Sequence, residues 1–376
     1  MNSPLRVLHV LAGMNLGGAE TFIMNVYRNI DRTKVQFDFI LFRKEECEFN
    51  SEIRELGGKI YWIPRYNGKN HFKFKKAWNN FFKTHPTYKV IHGHVRSTAS
   101  IYLKIAKKYG LTTIAHSHSS SSRGKLIDRF IKKLFQFQIR IIANYFFSCS
   151  NEAGKWLFGK KVVNKENYKL IKNAIEADKF IYNNISRDNT RNALKIQHNF
   201  VIGHIGSFTY PKNHDFLINV FKEVHNRQGN AILLLIGDGE LRSSIEEKIK
   251  DYNLTGNVIL TGVRSDIPDL LQAMDVFVFP SLFEGLGIVA IEAQAAGLPC
   301  IVSDVLPQEA FVTNLIQKVS LKESLSKWAH YILKRENYKR ANTHEQIVSK
   351  GYDINDTVKW LENFYITSSL QKKIIK

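Results

Sequence analysis

"DVFVFPSLFEGLGIVAIEAQAAGLPCIVSD", residues Asp275–Asp304, reads as a strand, a glycine-rich turn, a helix and a second strand. "DVFVFPS" and "PCIVSD" are short and continuously apolar, the pattern of parallel strands covered on both faces. A helix starting at about Leu286 or Gly287 supplies the crossover that a parallel pair requires. Two acids are hard to place in this unit. Glu284 stands in the turn, and Glu292 stands on the helix among Ile, Val, Ala, Gln and Gly. A buried carboxylate costs several kcal/mol unless it is paired or hydrogen-bonded. One reading has Glu284 capping the helix and Glu292 meeting a lysine. The other gives both acids a ligand. A helix N-terminus suits a phosphate, Gly285 and Gly287 allow close approach to the backbone, and ribose hydroxyls would satisfy Glu292.

The same pattern runs through the chain. "RVLHVL", "QFDFILF", "KIYWI", "KVIHGH", "TTIAHS" and "YFFSCS" are strand candidates in the first half. "NFVIGHIG", "AILLLIG", "NVILTG", "DVFVFPS" and "PCIVSD" follow in the second, with amphipathic helical stretches between them. The halves echo each other, since "TFIMNVY" in the first aligns with "DFLINVF" in the second. A chain of 376 residues also exceeds the usual size of a single core. The predicted fold is α/β, with two doubly wound Rossmann-like domains facing across a cleft. Residues 1–173 form the first domain and residues 174–351 the second, while residues 352–376 form a helix expected to pack across the junction. Ligands of such sheets bind beyond the carboxyl ends of the strands, which places the site in the cleft.

Composition narrows the function. The net charge of +20 fits a phosphorylated substrate, an anionic membrane surface or nucleic acid. The basic residues are spread along the chain with no RNA-binding signature, so nucleic acid is not an expected partner. "KLIDRFIKKLFQFQIRII", Lys125–Ile142, has the basic amphipathic pattern of a helix lying in a headgroup layer, although the same stripe would suit a helix packed on the sheet. Cys47, Cys149 and Cys300 lie far apart, as in a reducing compartment, and no cluster has metal-ligand spacing. The opening "MNSPLRVLHVLAG" reads as a strand rather than a signal peptide, and no apolar run is long enough to span a membrane. A dehydrogenase is disfavoured because "GMNLGGAE" lacks the G-x-G-x-x-G spacing. The expected location is therefore cytoplasmic, with peripheral contact at the inner face of the plasma membrane.

"EGLGIVAIE" resembles the E-x7-E signature of the retaining glycosyltransferases of family 4, which have the GT-B architecture. "GGAE", "VIHGH", "AHSHS", "GSFTYPKNHDFLI", "LLIGDGELR" and "TGVRSDIPDLLQAMDVFVFPS" stand in the order of that family's segments, closest to transferases of bacterial exopolysaccharide and capsule assembly. The resemblance implies a nucleotide-diphosphate sugar donor, with uridine the base by family habit, and a lipid-linked or oligosaccharide acceptor. It implies no metal and no cofactor. Glu292 would hold the ribose hydroxyls, and Glu284 would contact the transferred sugar. The backbone of Leu286 and Gly287, beside Gly285, would face the sugar and diphosphate. Lys212 would neutralise the leaving diphosphate, and Val263 would line the base pocket. Gly17 and Gly18 would close over diphosphate and acceptor. His118, rather than His116, would lie beside the transferred sugar, with weaker claims for His92 and His94.

This chain departs from the family at Ser207, where an arginine is expected beside the lysine, and at Ala174, where glycine is common. Arg264 or His204 could substitute for the missing cation. Ser207 also motivates an alternative, a catalytically impaired partner subunit. A nucleotide-sugar epimerase on the same architecture is the other.

Overall fold

The computed structural model describes residues 3–15, 17–118 and 136–370. It divides into two compact units, Met1–Ile175 with Asp353–Lys376, and Glu176–Tyr352.

The first unit is a seven-stranded parallel sheet. In chain order its strands are β1 (Leu5–Leu11), β2 (Val35–Leu41), β3 (Ile60–Trp62), β4 (Val90–Gly93), β5 (Thr112–Ser117), β6 (Tyr145–Ser148) and β7 (Tyr168–Leu170). Their spatial order is β3-β2-β1-β4-β5-β6-β7, so the winding reverses between β1 and β4. Side chains alternate across the strands and feed two cores. Val7, Leu11, Phe37 and Phe39 face the first helix, Gly18–Asn29. Leu8, Val10 and Ile40 face Trp78 and Tyr102 on the other side.

The C-terminal helix, Ile354–Leu370, was expected at the junction and is part of the first unit. Its buried Ile354, Val358, Leu361 and Tyr365 recur at helical spacing and join the core of Val7 and Phe37. Lys34 pairs with Glu362 at 3.0 Å, and the Thr112 hydroxyl donates to the Ser368 carbonyl at 3.0 Å. This helix therefore covers the sheet face that carries the odd-numbered residues of β1, His9 among them.

The second unit is a six-stranded parallel sheet made of β8 (Phe200–Ile205), β9 (Ala231–Ile236), β10 (Val258–Leu260), β11 (Val276–Phe279), β12 (Cys300–Ser303) and β13 (Ile316–Val319). Its order is β10-β9-β8-β11-β12-β13, with the reversal between β8 and β11. The echo between the halves is structural. Ile23, Met24, Val26 and Tyr27 of the first helix are buried, and so are Leu217, Ile218, Val220 and Phe221 at the aligned positions of His214–Arg227. All eleven strand candidates are strands. β7 and β13 are additional, and each is a short edge strand with a lysine in it.

Candidate active site

In the second unit the loops after β8 and β11 meet at the point where the winding reverses. The backbone N–H of Leu282 donates to the Pro211 carbonyl at 2.8 Å, and the Asn213 side chain donates to the Pro280 carbonyl at 3.1 Å. These bonds hold Lys212 against Glu284, with the Lys212 ammonium 2.6 Å from the carboxylate and 4.7 Å from the Phe279 ring centroid. The following helix is Ile288–Ala295, and no side chain caps it. Glu284 thus spends its carboxylate on Lys212 rather than on the helix end. Gly287 turns the chain into the helix at φ 74°, and a Cβ there would lie 2.5 Å from Leu306. That residue must be glycine. No side chain caps the first N–H groups of the helix, which follow the turn containing Gly285 and Leu286.

Among the described residues no lysine pairs with Glu292, although the alternative reading required one. Burial alone pushes its carboxyl up to about 7. The side chain keeps some exposure to solvent, so its oxygens are open to further donors.

Around these residues, Gly237 packs so tightly on the β8 loop that a Cβ would lie 2.1 Å from the Gly206 carbonyl. Its N–H donates to the Gly262 carbonyl at 2.9 Å, which ties the ends of β9 and β10. Val263 follows with its side chain 56% exposed, an apolar surface at a strand end. Ser207 is exposed, its hydroxyl 3.2 Å from that of Thr209. Neither proposed substitute supplies a mobile cation there. Arg264 is gripped by Asp266 through bonds of 2.8 and 2.6 Å. His204 is fully buried against the Val278 carbonyl at 2.8 Å, and burial holds it neutral, far below its ordinary range.

The first unit offers a different chemistry at its own reversal point. Gly17 precedes the first helix, and a Cβ on it would lie 2.4 Å from the Glu20 carboxylate, while Gly18 is exposed with nothing within 4 Å. Beside this loop five histidines converge from β1, β4 and β5. His118 Nε2 lies 2.8 Å from His94 Nδ1, and His94 Nε2 lies 3.0 Å from His9 Nδ1. A parallel string runs from the Tyr365 hydroxyl to His92 Nδ1 at 2.8 Å and from His92 Nε2 to His116 Nδ1 at 3.2 Å. Burial is the leading cause that pulls all five below the ordinary imidazole range, His9 and His118 to about 3. Each ring is therefore neutral and carries one N–H. In the string His118–His94–His9 all protons must point the same way, so the tautomer of any one ring sets that of all three.

His116 and His118 stand two residues apart, the spacing at which strand side chains share a face, and their ring centroids are 4.0 Å apart. His9, unremarked in the sequence, is the inner end of one string, and only the register of β1 with β4 shows it, pairing His9 with His92. Two triads, His9–His92–His94 and His94–His116–His118, have ring nitrogens close enough to hold a metal ion. Both share His94, whose two nitrogens are already engaged, so an ion would have to displace one of these contacts. The amphipathic stretch Lys125–Ile142 lies outside the described residues up to residue 135. Beyond that, Phe137 and Ile141 are 58% and 71% exposed.

Two outcomes follow from the titrations. Histidines that are neutral when folded, with an unfolded value near 6.5, give their full contribution above that pH and lose it as pH falls. Each costs on the order of 1 kcal/mol per pH unit below 6.5. Thermal melts should show Tm falling steeply from pH 6.5 to 5, with several protons taken up on unfolding; a flat Tm over that range would contradict the buried neutral network. For Glu292, the raised value imposes a penalty that is absent below about pH 4.5 and grows until about pH 7. Its side chain is only partly sealed from solvent, so the cost is on the order of 1–3 kcal/mol. Glu292→Gln should therefore raise Tm by a few degrees at pH 8 and leave it unchanged at pH 4, while weakening nucleotide binding at least tenfold. Loss of stability at pH 8 would show that Glu292 holds the fold rather than a ligand.

Known proteins match this arrangement along the whole chain. The family model for glycosyl transferases group 1 matches residues 186–353, and that for glycosyltransferase family 4 matches residues 16–179. EpsF of Bacillus subtilis, which carries a glycosyltransferase name, is 35% identical over 98% of both chains. The Escherichia coli UDP-Gal:alpha-D-GlcNAc-diphosphoundecaprenol alpha-1,3-galactosyltransferase is 26% identical over 83% of each. Among solved structures, Anabaena HepE in complex with UDP-glucose superposes with a TM-score of 0.71 over 98% of both chains at 17% identity. With a relative matched end to end and both halves recognised, the chain belongs to the family 4 glycosyltransferases and is a glycosyltransferase of the GT-B fold.

Proposed function

We propose that this enzyme is a retaining, metal-independent hexosyltransferase. It takes its sugar from a nucleoside-diphosphate sugar, with uridine as the base, and passes it to a lipid-linked or oligosaccharide acceptor in surface-polysaccharide assembly. The observation that carries the reading is the Lys212–Glu284 pair at the β8/β11 reversal, with unpaired Glu292 further along the same turn–helix unit. A diphosphate at the uncapped helix end would meet N–H groups of Leu286 and Gly287 and the Lys212 ammonium. Ribose hydroxyls would donate to Glu292, and the base would lie along Val263. Glu284 and His118 would contact the transferred sugar, Gly17 and Gly18 would close on the diphosphate and acceptor, and Ser207 would offer a hydroxyl where the family resemblance implies an arginine.

In the transfer the bond from the anomeric carbon to the diphosphate oxygen breaks, and a bond to the acceptor oxygen forms on the same face. The acceptor hydroxyl proton goes to the departing phosphate oxygen. Negative charge grows on that oxygen, so Lys212 and the helix end contribute most where the barrier is highest. The HepE complex with UDP-glucose and the Escherichia coli relative named for UDP-galactose and a diphosphoundecaprenol acceptor support the donor and acceptor classes. No helix among the described residues is long and apolar enough to cross a membrane, which is compatible with a cytoplasmic enzyme working at the inner face of the plasma membrane. The intact ion pair gives no support to an impaired partner subunit, and no observation favours an epimerase.

Transfer from a panel of UDP-hexoses to a prenyl-diphosphate-linked N-acetylhexosamine tests this, with the anomeric proton coupling of the product read by NMR. The expected product keeps the donor configuration, forms equally well with chelator present, and forms 10²–10³-fold more slowly, roughly, in Lys212→Ala. Inverted product, or a chelator-sensitive rate, would overturn the corresponding part of the proposal.

A further inference from the structure

The five histidines at the reversal of the first unit cannot all satisfy one another. Each N···N contact of 2.8, 3.0 or 3.2 Å holds one proton, so one nitrogen at every contact presents a lone pair. The string His118–His94–His9 ends on His118 Nδ1 and His9 Nε2, and the string Tyr365–His92–His116 ends on His116 Nε2. These three nitrogens are buried and have no partner among the described residues. Whichever way the protons of the first string point, one end is a lone pair without a donor and the other an N–H without an acceptor. Polar atoms left like this weigh against the network itself and are open to a ligand.

Two of the three belong to neighbouring rings. The centroids of His116 and His118 are 4.0 Å apart, and with His94 these residues offer one ring nitrogen each, all within 4.8 Å of one another. His116 is buried, while His94 and His118 are half-buried at the strand ends, so an ion has a way in. His9 and His92 of the other triad are both buried. Local spacing conceals the outer set because its members come from the ends of β4 and β5.

Three imidazoles are a donor set for Zn²⁺, Co²⁺ or Ni²⁺ and a poor one for Mg²⁺, which prefers oxygen. We propose that His94, His116 and His118 form a site for a divalent transition-metal ion, and that the ion acts as an inhibitor by taking His118 away from the sugar. The site opens one hydrogen bond. With the ion on His94 Nδ1, the His94 proton sits on Nε2 and donates to His9, so only the His94–His118 bond is lost. With the ion on His116 Nε2, the Nδ1 proton donates to His92 and the second string stays whole. Zn–N bonds of about 2.1 Å set ligand nitrogens about 3.4 Å apart, so the contact of 2.8 Å between His94 and His118 widens by roughly half an ångström. Arg96 opposes the ion, since its positive field already acts on His118, and it holds the affinity below that of a closed structural zinc site. Metal binding stands without the transferase reading, whereas inhibition rests on that reading and on the place it gives His118.

The test uses the full chain stripped of metal. Co²⁺ is added first, because its visible absorption reports tetrahedral coordination, and Zn²⁺ and Mg²⁺ are then titrated by calorimetry. Wild type, His116→Gln, His118→Gln and His9→Gln are compared, with a thermal melt and UDP binding on each to show that both units are folded. The expected result is one ion per chain, a tetrahedral cobalt spectrum and no heat with Mg²⁺. Affinity should fall at least about tenfold in His116→Gln and His118→Gln and hold in His9→Gln, where the glutamine can still accept from His94. Zn²⁺ should slow sugar transfer by wild type at least about tenfold, with recovery on adding chelator. No tetrahedral cobalt signal in wild type, or unchanged affinity in both outer variants, would overturn the site and leave the transferase reading standing. Affinity lost in His9→Gln alone would overturn the choice of triad. Binding as expected with transfer unaffected would uphold the site and overturn the inhibition. Binding as expected in a chain that transfers no sugar when free of metal would uphold the site and overturn the metal-independent reading.

Discussion

One ion pair organises the second unit. Lys212 reaches Glu284 at 2.6 Å across the reversal between β8 and β11, with the Phe279 ring beneath the ammonium. The strand order makes these two loops neighbours, and two backbone-directed bonds lock them together. Ion pairs shielded from water are poor sources of stability, because the desolvation cost offsets most of the attraction. A pair kept at a strand-end reversal, next to an uncapped helix start, makes better sense as a charge held in reserve. On the proposed function, Glu284 would neutralise Lys212 until a diphosphate competed for the same ammonium. Glu292 extends the same logic, since burial without a partner leaves its carboxyl near 7 and ready for hydroxyl donors.

The two units share a winding pattern and differ in what stands at the reversal. The second places a lysine, a carboxylate and free N–H groups there, which suits an anion. The first places neutral imidazoles there, which suits a polar, uncharged sugar that both gives and accepts hydrogen bonds. The C-terminal helix is part of that second arrangement. Tyr365 closes one histidine string at His92, and the helix buries the network deeply enough to keep it uncharged. The low pKa values follow from this cover, and so does the expected weakness to acid.

Much of this was legible in the sequence. The βαβ periodicity, the echo between the helices and the spacing of Glu284 and Glu292 are local patterns, and all correspond to elements in the structure. Hidden features depend on long-range register. Lys212 and Glu284 lie 72 residues apart, and no local pattern says that they touch. His9 looks like an ordinary strand residue until β4 brings His94 to it. β7 and β13 are edge strands of three and four residues whose lysines interrupt the apolar run. The C-terminal helix shows an apolar stripe but not the sheet it covers. The chemistry of Glu292 could be stated in advance as a choice between lysine and ligand, and the structure adds only that no lysine among the described residues pairs with it.

The central claim is that Lys212 is reserved for a diphosphate and that Glu284 competes for it. The most direct measurement is the UDP dissociation constant of wild type, Glu284→Gln and Lys212→Gln by calorimetry at one ionic strength. The account predicts tighter UDP binding in Glu284→Gln, several-fold or more because the competing carboxylate is gone, and weaker binding in Lys212→Gln. Unchanged or weaker binding in Glu284→Gln, with its fold intact, would show that the pair is structural and that the diphosphate lies elsewhere.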